Sequence, residues 1–299
     1  MNSLNNYSAN SLVVGEYKIN YFDFGDVKAP NSIYIQGQLH ANEVNTFSTL
    51  HGLVEKLKLI PPPVPLRIVP SCNPIGWDIH LNGKDGRVSY PGNLDWNRIF
   101  NTPLFVNDTL EKNLAKELWT LSNGFSRIFD VHTPDYGFPH IYTSDIRNRM
   151  FTFEDLPYII NDKSIDGSFQ NLNTIQRKIP SFTLEIPSYE IWTSSSQEYW
   201  INRIHAEIIA CKKRRNIVLP VTPKYFGQLI SLYSNISGVP LLLVQPNKVA
   251  KKDSKIIRVT SSNGEDETIV FGNDCIPLCF RRKGLIQAGR MVAKVLSLH

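Results

Sequence analysis

The stretch SIYIQGQLHANEVNTFSTLHGLVEKLKLIPPPVPLRIV, residues 32–69, decides the fold. Ser32 to Gln36 is a short apolar strand signal that runs into Gly37. From Val44 to Leu59 the apolar residues Val44, Phe47, Leu50, Leu53, Val54 and Leu57 recur at helical spacing, which stacks them on one face. Pro61, Pro62, Pro63 and Pro65 stop that helix, because proline has no N–H to give and its ring collides with the preceding turn. Leu66 to Val69 reads as the next strand, closed by the turn signal Asn73-Pro74. Strand, helix and strand within about 40 residues make a βαβ unit, and such units build α/β domains.

Working outward, the sequence predicts a helix from Leu110 to Leu121, a strand from Arg127 to Val131 ending in His132, a strand from Ser181 to Ile186 and a helix from Ser195 to Cys211. The stretches Ile75 to Val106 and Thr133 to Asn173 read as long loops, of the kind that build sites. Past the basic run Lys212 to Arg215 and the segment Leu219-Pro-Val-Thr-Pro223, short strand signals recur at Gly238 to Val244, Lys255 to Val259, Glu267 to Val270 and Cys275 to Phe280. Arg290 to Leu298 reads equally as strand or helix. The expected organisation is an α/β domain over 1–215 followed by a small β-rich domain over 216–299.

Composition narrows the class. A chain of 299 residues with 42% hydrophobic and 20% charged residues has ample apolar material for a packed core, which excludes a disordered polymer. The net charge is +5, with basic runs Lys212 to Arg215, Lys248 to Lys255 and Arg281 to Lys283, but no aromatic-interleaved stripe accompanies them. They read as solvated surface rather than as a nucleic-acid face. Four cysteines form no disulfide framework, no apolar run approaches a membrane span, and Met1 to Asn20 lacks a secretory signal pattern. A cytoplasmic location without nucleic-acid or membrane partners is expected.

Chemistry-bearing residues fall where the expected strands end, the place where open α/β sheets hold their ligands. His40-Ala-Asn-Glu43 follows the first strand and offers one nitrogen and one oxygen to a metal; a helix-capping Glu beside an ordinary His is the other reading. Asp130-Val-His132-Thr133 ends the second unit's first strand, and His40, Glu43 and His132 together make a three-ligand set with an open fourth position. Asp130 either orients a ligand or makes a plain structural hydrogen bond. Glu185 is an isolated carboxylate in the apolar strand Thr183-Leu-Glu-Ile-Pro187, suited to act as general base beside a metal-bound water, or to pair with a nearby Arg or Lys. Asn97 and Arg98, within Leu94-Asp-Trp-Asn-Arg-Ile-Phe100, offer an amide and a planar fork for a substrate carboxylate, and Arg87 a charge for a polarised carbonyl. Among the remaining histidines, His140 reads as an exposed loop residue, His51 as surface or packing, and His80, His205 and His299 as lying outside the constellation, while Tyr136 and Tyr142 read as cleft walls.

Taken together in order, these motifs resemble the zinc carboxypeptidase superfamily, in particular its succinylglutamate desuccinylase and aspartoacylase branch. The family's His-Gly-Asn-Glu is similar to His40-Ala-Asn-Glu43, its Asn-Pro-x-Gly to Asn73-Pro-Ile-Gly76, and its Asp-Leu-Asn-Arg-x-Phe to Asp95-Trp-Asn-Arg-Ile-Phe100. Its Asp-x-His-Thr and Thr-x-Glu strand ends are similar to Asp130 to Thr133 and Thr183 to Glu185. The resemblance covers most of residues 30 to 190. It implies a zinc-carboxypeptidase-like α/β/α domain with a mixed sheet, a C-terminal β domain, and strand rather than helix at Arg290 to Leu298.

It also implies one zinc per chain, held by His40, Glu43 and His132, with Glu185 and Arg87 catalytic and Asn97 and Arg98 binding substrate. The expected activity is hydrolysis of an amide bond in a small carboxylate-bearing substrate such as an N-acyl amino acid. A metallocarboxypeptidase acting on short peptides or cell-wall fragments, or a catalytically silent carboxylate-binding module, are the alternatives. The chain departs from the pattern at Ala41, tolerable where the backbone is not left-handed, and at Trp96, which stands where Leu is usual and bears on pocket shape.

Overall fold

A computed structural model describes residues 7–100, 109–134, 137–144, 153, 155–160, 167–187, 192–213, 226–280 and 285–298. The βαβ unit forms as expected: β3 (Ile33–Gly37), helix α1 (Val44–Leu59) and β4 (Leu66–Val69), with β3 and β4 parallel and Ile35 opposite Ile68. Two strands precede it. β1 (Tyr7–Val14) and β2 (Tyr17–Phe24) form an antiparallel hairpin whose turn places Gly15 at φ 61°, a conformation glycine adopts without steric cost.

The next elements are α2 (Pro74–Leu81), α3 (Leu110–Leu121), β5 (Arg127–His132), β6 (His140–Thr143), β7 (Tyr158–Ile160), α4 (Phe169–Gln176), β8 (Ser181–Glu185) and α5 (Ser194–Lys213). Both stretches read as long loops therefore carry short elements: α2 and a 3-10 turn at Trp96–Arg98 in the first, β6, β7 and the start of α4 in the second. Each is eight residues or fewer, too short for a periodic pattern to stand out. Asn73 explains why α2 begins where it does, since its side chain accepts from the Gly76 amide at 2.8 Å and caps the helix.

The remaining strands are β9 (Phe226–Tyr233), β10 (Val239–Leu242), β11 (Ser254–Thr260), β12 (Asp266–Phe271), β13 (Cys275–Phe280) and β14 (Met291–Leu298), the last a strand as the resemblance implies. β10, β11 and β12 form their own three-stranded sheet, whereas β9, β14 and β13 extend the main one. That sheet has eleven strands in the order β1-β2-β4-β3-β5-β8-β6-β7-β9-β14-β13 and is mixed. The expected division between residues 215 and 216 lies outside the described residues, as do Arg281 to Lys283, Tyr136 and His299.

Two core layers flank the central strands. Ile33, Ile35, Phe129, Val131, Phe182 and Leu184 pack toward α1 and α5, with Leu50, Leu53, Trp200 and Ile204. Tyr34, Val69 and Ile128 pack the other way, with Ile75 of α2, Leu114 and Leu118 of α3, and Phe169 and Leu172 of α4. Strand side chains alternate between faces, so Gln36, Asp130, His132, Thr183 and Glu185 share the face of Tyr34 and Ile128. The apolar residues fill one face completely and leave the polar row on the other, at the carboxyl ends of β3, β5 and β8.

Candidate metal centre

The site is built on the ends of β3, β5 and β8. Past β3, Gln38 adopts φ 56°, unusual for a residue with a Cβ, and its amide donates to the Ala41 carbonyl at 3.1 Å. This bend turns His40 and Glu43 back over the sheet. The Asn73 amide also donates to the Leu39 carbonyl at 2.8 Å, so the Asn-Pro-x-Gly turn fixes the residue before the first histidine. Ala41 has no positive φ and is fully buried, so its Cβ is accommodated where the family has Gly.

His40, Glu43 and His132 are all buried, and a ligand atom from each lies within 4.8 Å of the others. Glu43 is the hub. One carboxylate oxygen lies 2.7 Å from His40 Nδ1, while the other lies 3.1 Å from His132 Nδ1 and accepts from the Thr133 amide at 2.8 Å. It makes no helix-capping hydrogen bond, although it stands at the N-cap of α1, which removes the capping reading.

Each histidine is backed by an aspartate on its far nitrogen. His40 Nε2 lies 2.9 Å from Asp95 Oδ1, and His132 Nε2 lies 3.1 Å from Asp130 Oδ2. An ionised aspartate only accepts, so it holds a proton on Nε2, and Nδ1 is the nitrogen that each histidine has free to give up its proton and offer its lone pair to a metal. Asp130 is thus an orienting partner. Two imidazole nitrogens and one carboxylate oxygen, each histidine carrying a carboxylate behind it, fit a divalent metal such as zinc.

Electrostatics follow from burial and these contacts. Burial alone pushes the Glu43 carboxyl up, but His132 and His40 outweigh it and hold the group well below the usual carboxylate range. For Asp95 burial is likewise outweighed, by the hydrogen bond and charge of His40 and the charge of Arg87. Burial lowers His132, but Asp130 and Glu43 raise it well above its ordinary value.

Glu185 behaves in the opposite way. It pairs in register with His132 across β5 and β8, and its Oε2 is sealed from solvent with no hydrogen-bond partner among the described residues. Burial pushes its carboxyl up to about 7, against the lowering effect of His132. Among the described residues no Arg or Lys forms an ion pair with it.

Arg87 reaches the centre from the loop before the 3-10 turn, with guanidinium nitrogens 3.5 Å from Glu43 Oε1 and 3.4 Å from Asp95 Oδ2. Asn97 is buried; its Oδ1 accepts from the Phe169 amide at 3.0 Å, which leaves Nδ2 as the donor end, 3.5 Å from His132 Nε2. Arg98 is exposed and donates to the Asn97 carbonyl at 2.7 Å. The structure thus gathers His40, Glu43, His132, Arg87 and Asn97 in one place, with Glu185 alongside in the sheet and Arg98 at the margin. Trp96 is fully buried in the core layer beneath.

Three features escape a motif reading. His140, expected on the surface, is fully buried and pairs in register with Glu185 on the opposite side from His132. Asp95 carries His40, a role its place in a carboxylate-binding motif does not suggest. Tyr34 and Gln36 also join the site from below, and Gln36 is a polar residue inside an otherwise apolar strand, the signal that could have found it.

The fold matches known structures along nearly its whole length. A succinylglutamate desuccinylase/aspartoacylase family protein from Shewanella amazonensis superposes with a TM-score of 0.77 at 16% identity, covering 97% of this chain and 98% of that one. The product-bound ectoine utilization protein EutE (DoeB) from Ruegeria pomeroyi gives a TM-score of 0.74 at 15% identity, covering 98% and 95%. A metallo-carboxypeptidase from Burkholderia cenocepacia gives 0.54 at 16% identity over 69% of this chain and 65% of that one. No protein-family model matches the sequence, and no curated protein matches it significantly. The architecture is therefore the aspartoacylase/carboxypeptidase fold, with additional small antiparallel strands in its C-terminal part. Among the described residues no helix is long and apolar enough to cross a membrane.

Proposed function

We propose that this protein is a zinc-dependent hydrolase, with one ion per chain, that cleaves an amide bond in a small carboxylate-bearing substrate such as an N-acyl amino acid. One observation carries the reading: two aspartate-backed Nδ1 atoms converge on the Glu43 carboxylate, beside the half-buried Glu185, whose Oε2 is sealed from solvent with no hydrogen-bond partner among the described residues. A divalent ion held by His40, Glu43 and His132 supplies Lewis acidity and a water of lowered pKa.

The chain's own residues do the rest. Glu185 takes the water proton and delivers it to the leaving nitrogen; burial raises the proton affinity of its carboxyl, while a divalent ion alongside keeps it ionised and ready to accept. Arg87, beside Glu43, brings positive charge to the carbonyl oxygen as negative charge develops there. Asn97 Nδ2 and the exposed Arg98 guanidinium bind the substrate carboxylate.

The division at residue 216 is kept in this reading as a catalytic part and a part that narrows the mouth. In support, the Phe138 amide donates to the Leu278 carbonyl at 2.9 Å and Gly137 bridges to Cys279, so β13 abuts the loop that leaves His132. A narrowed mouth favours small substrates. The fold shared with a metallo-carboxypeptidase keeps hydrolysis of short peptides as the second reading.

The test is metal content of protein purified without chelator, with amine release from a panel of N-acyl amino acids and short peptides. About one zinc per chain and amine release from the acyl amino acids is the expected result. Release from peptides alone selects the second reading, and metal uptake without turnover of either class points to a carboxylate-binding module.

A further inference from the structure

We propose that Tyr34 and Gln36 are positioning residues of the metal centre, holding His132 through Asp130 with its proton on Nε2 and its Nδ1 toward Glu43. This rests on the zinc-binding reading above.

The contacts form one directed chain. Tyr34 donates its hydroxyl to Gln36 Oε1 at 2.9 Å, Gln36 Nε2 donates to Asp130 Oδ1 at 3.0 Å, and Asp130 Oδ2 lies 3.1 Å from His132 Nε2. Tyr34, Gln36 and Asp130 are fully buried and His132 nearly so, so water does not compete for these groups. The strands impose the arrangement: Gln36 and Asp130 are register partners across β3 and β5, and Tyr34 and His132 each lie two residues away on the same face.

Direction matters because an amide has a donor end and an acceptor end. Asp130, ionised, accepts at both oxygens. Turning the Gln36 amide over would set its oxygen against a carboxylate oxygen in a dry environment, a like-with-like contact that costs a hydrogen bond and adds repulsion. The Tyr34 hydroxyl, donating to Oε1, locks the productive orientation. The aromatic rings of Phe125 and Phe169, with centroids 5.5 and 6.0 Å from that of Tyr34, hold the tyrosine in turn.

The two histidines differ in this respect. Asp95, behind His40, keeps partial exposure and is held by the Asn97 amide at 2.8 Å and by Arg87. An apolar residue at position 36 would satisfy the core and relieve the cost of burying an amide, so the packing of β3 alone gives no reason for glutamine there.

The test measures zinc affinity by competition with a chromogenic chelator, together with thermal melting of the metal-free protein, for wild type, Gln36→Met, Tyr34→Phe, the double variant and Phe129→Leu. Phe129 is buried on the opposite face of β5 and serves as a control for general loosening of the core. Gln36→Met is expected to weaken zinc binding about tenfold, the lower end for a partner behind a metal ligand, and Tyr34→Phe about threefold. Because Tyr34 acts through Gln36, the double variant should bind zinc as Gln36→Met does, while Phe129→Leu lowers the melting temperature and leaves zinc affinity unchanged.

Zinc affinity of both Gln36→Met and Tyr34→Phe within twofold of wild type overturns the proposal, as does an equal loss in Phe129→Leu. Should Gln36→Met fail to fold, Tyr34→Phe against Phe129→Leu decides by the same criterion. A wild type that takes up no zinc overturns the metal reading and this inference together, whereas a zinc-binding wild type with unaffected variants overturns the inference alone.

Discussion

His132 and Glu185 are register partners at the carboxyl ends of adjacent parallel strands, their backbones about 4.8 Å apart by the spacing of any sheet. In the proposed reading, a metal-ligating nitrogen and an unligated carboxylate are thereby fixed side by side by backbone hydrogen bonds, including that of the Ile186 amide to the His132 carbonyl at 2.8 Å. This pairing separates holding the ion from moving the proton.

Glu185→Gln should therefore keep its zinc and lose turnover. Removing a positioned general base costs roughly 10²- to 10⁴-fold. Zinc content and kcat measured on the same preparation check this; a variant that loses zinc along with activity would make Glu185 a ligand instead.

The same carboxyl predicts a pH effect on stability. In the metal-free protein burial raises it to about 7 from an ordinary value of 4.5, so between these values the folded chain binds more protons than the unfolded one. Stability from this group is then complete below about pH 4.5, falls as pH rises through about 7, and levels off above. Glu185→Gln cannot ionise, so its stability should gain on the wild type across that window, by an amount on the order of 3 kcal/mol at pH 8, read as a rise in melting temperature. Equal differences at pH 4.5 and pH 8 would remove the buried-carboxyl account.

Metal should stabilise only the intact triad. A ligand that binds the folded state alone adds about 2.7 kcal/mol at a hundred times its dissociation constant. Zinc added to chelator-stripped wild type is expected to raise the melting temperature by several degrees, and His132→Ala should show no such rise.

Arg87 sits against Glu43 and Asp95, but its side chain is 35% exposed, and ion pairs that open to water stabilise by less than about 1 kcal/mol. Its substitution is felt in catalysis. Arg87→Ala is expected to melt within a few degrees of wild type, to retain zinc, and to lose on the order of 10²-fold in kcat, the scale of a removed charge-stabilising donor. A change confined to KM would assign Arg87 to substrate binding.

How far the sequence reached is clearest at particular residues. The helix spacing from Val44 to Leu57 and the proline block after it specify β3, α1 and β4 directly, and the long helices α3 and α5 are legible in the same way. Strands such as Tyr7–Val14 and Phe226–Tyr233 were not, because Asn, Ser, Gly and Gln interrupt their alternation and neighbouring strands decide their fate. At the site, His40, Glu43, His132 and Glu185 stand out because ionisable groups end apolar strands. Asp95, Tyr34 and Gln36 did not, since their roles depend on which strands lie side by side. His140 was misplaced for a related reason: a histidine in a short strand carries no local sign that it will be covered.

The turn at Gly76 links fold to site and supplies the last prediction. A Cβ there would lie 2.5 Å from Asn73 Nδ2, closer than real contacts allow, and 3.1 Å from Trp96 Nε1, a tight contact. Asn73 is the residue that caps α2 and holds the Leu39 carbonyl, one position before His40. Gly76→Ala must move that side chain, so the loss of packing and hydrogen bonding should cost about 1–3 kcal/mol. The displacement should also reach the metal centre. Zinc affinity is expected to fall together with melting temperature, whereas Gly83→Ala, at an exposed turn with nothing near its Cβ, should cost stability through its left-handed backbone and leave zinc affinity intact. Parallel zinc titrations and melts of the two variants check this, and a Gly76→Ala protein with unchanged affinity would show that Leu39 does not depend on Asn73 for its position.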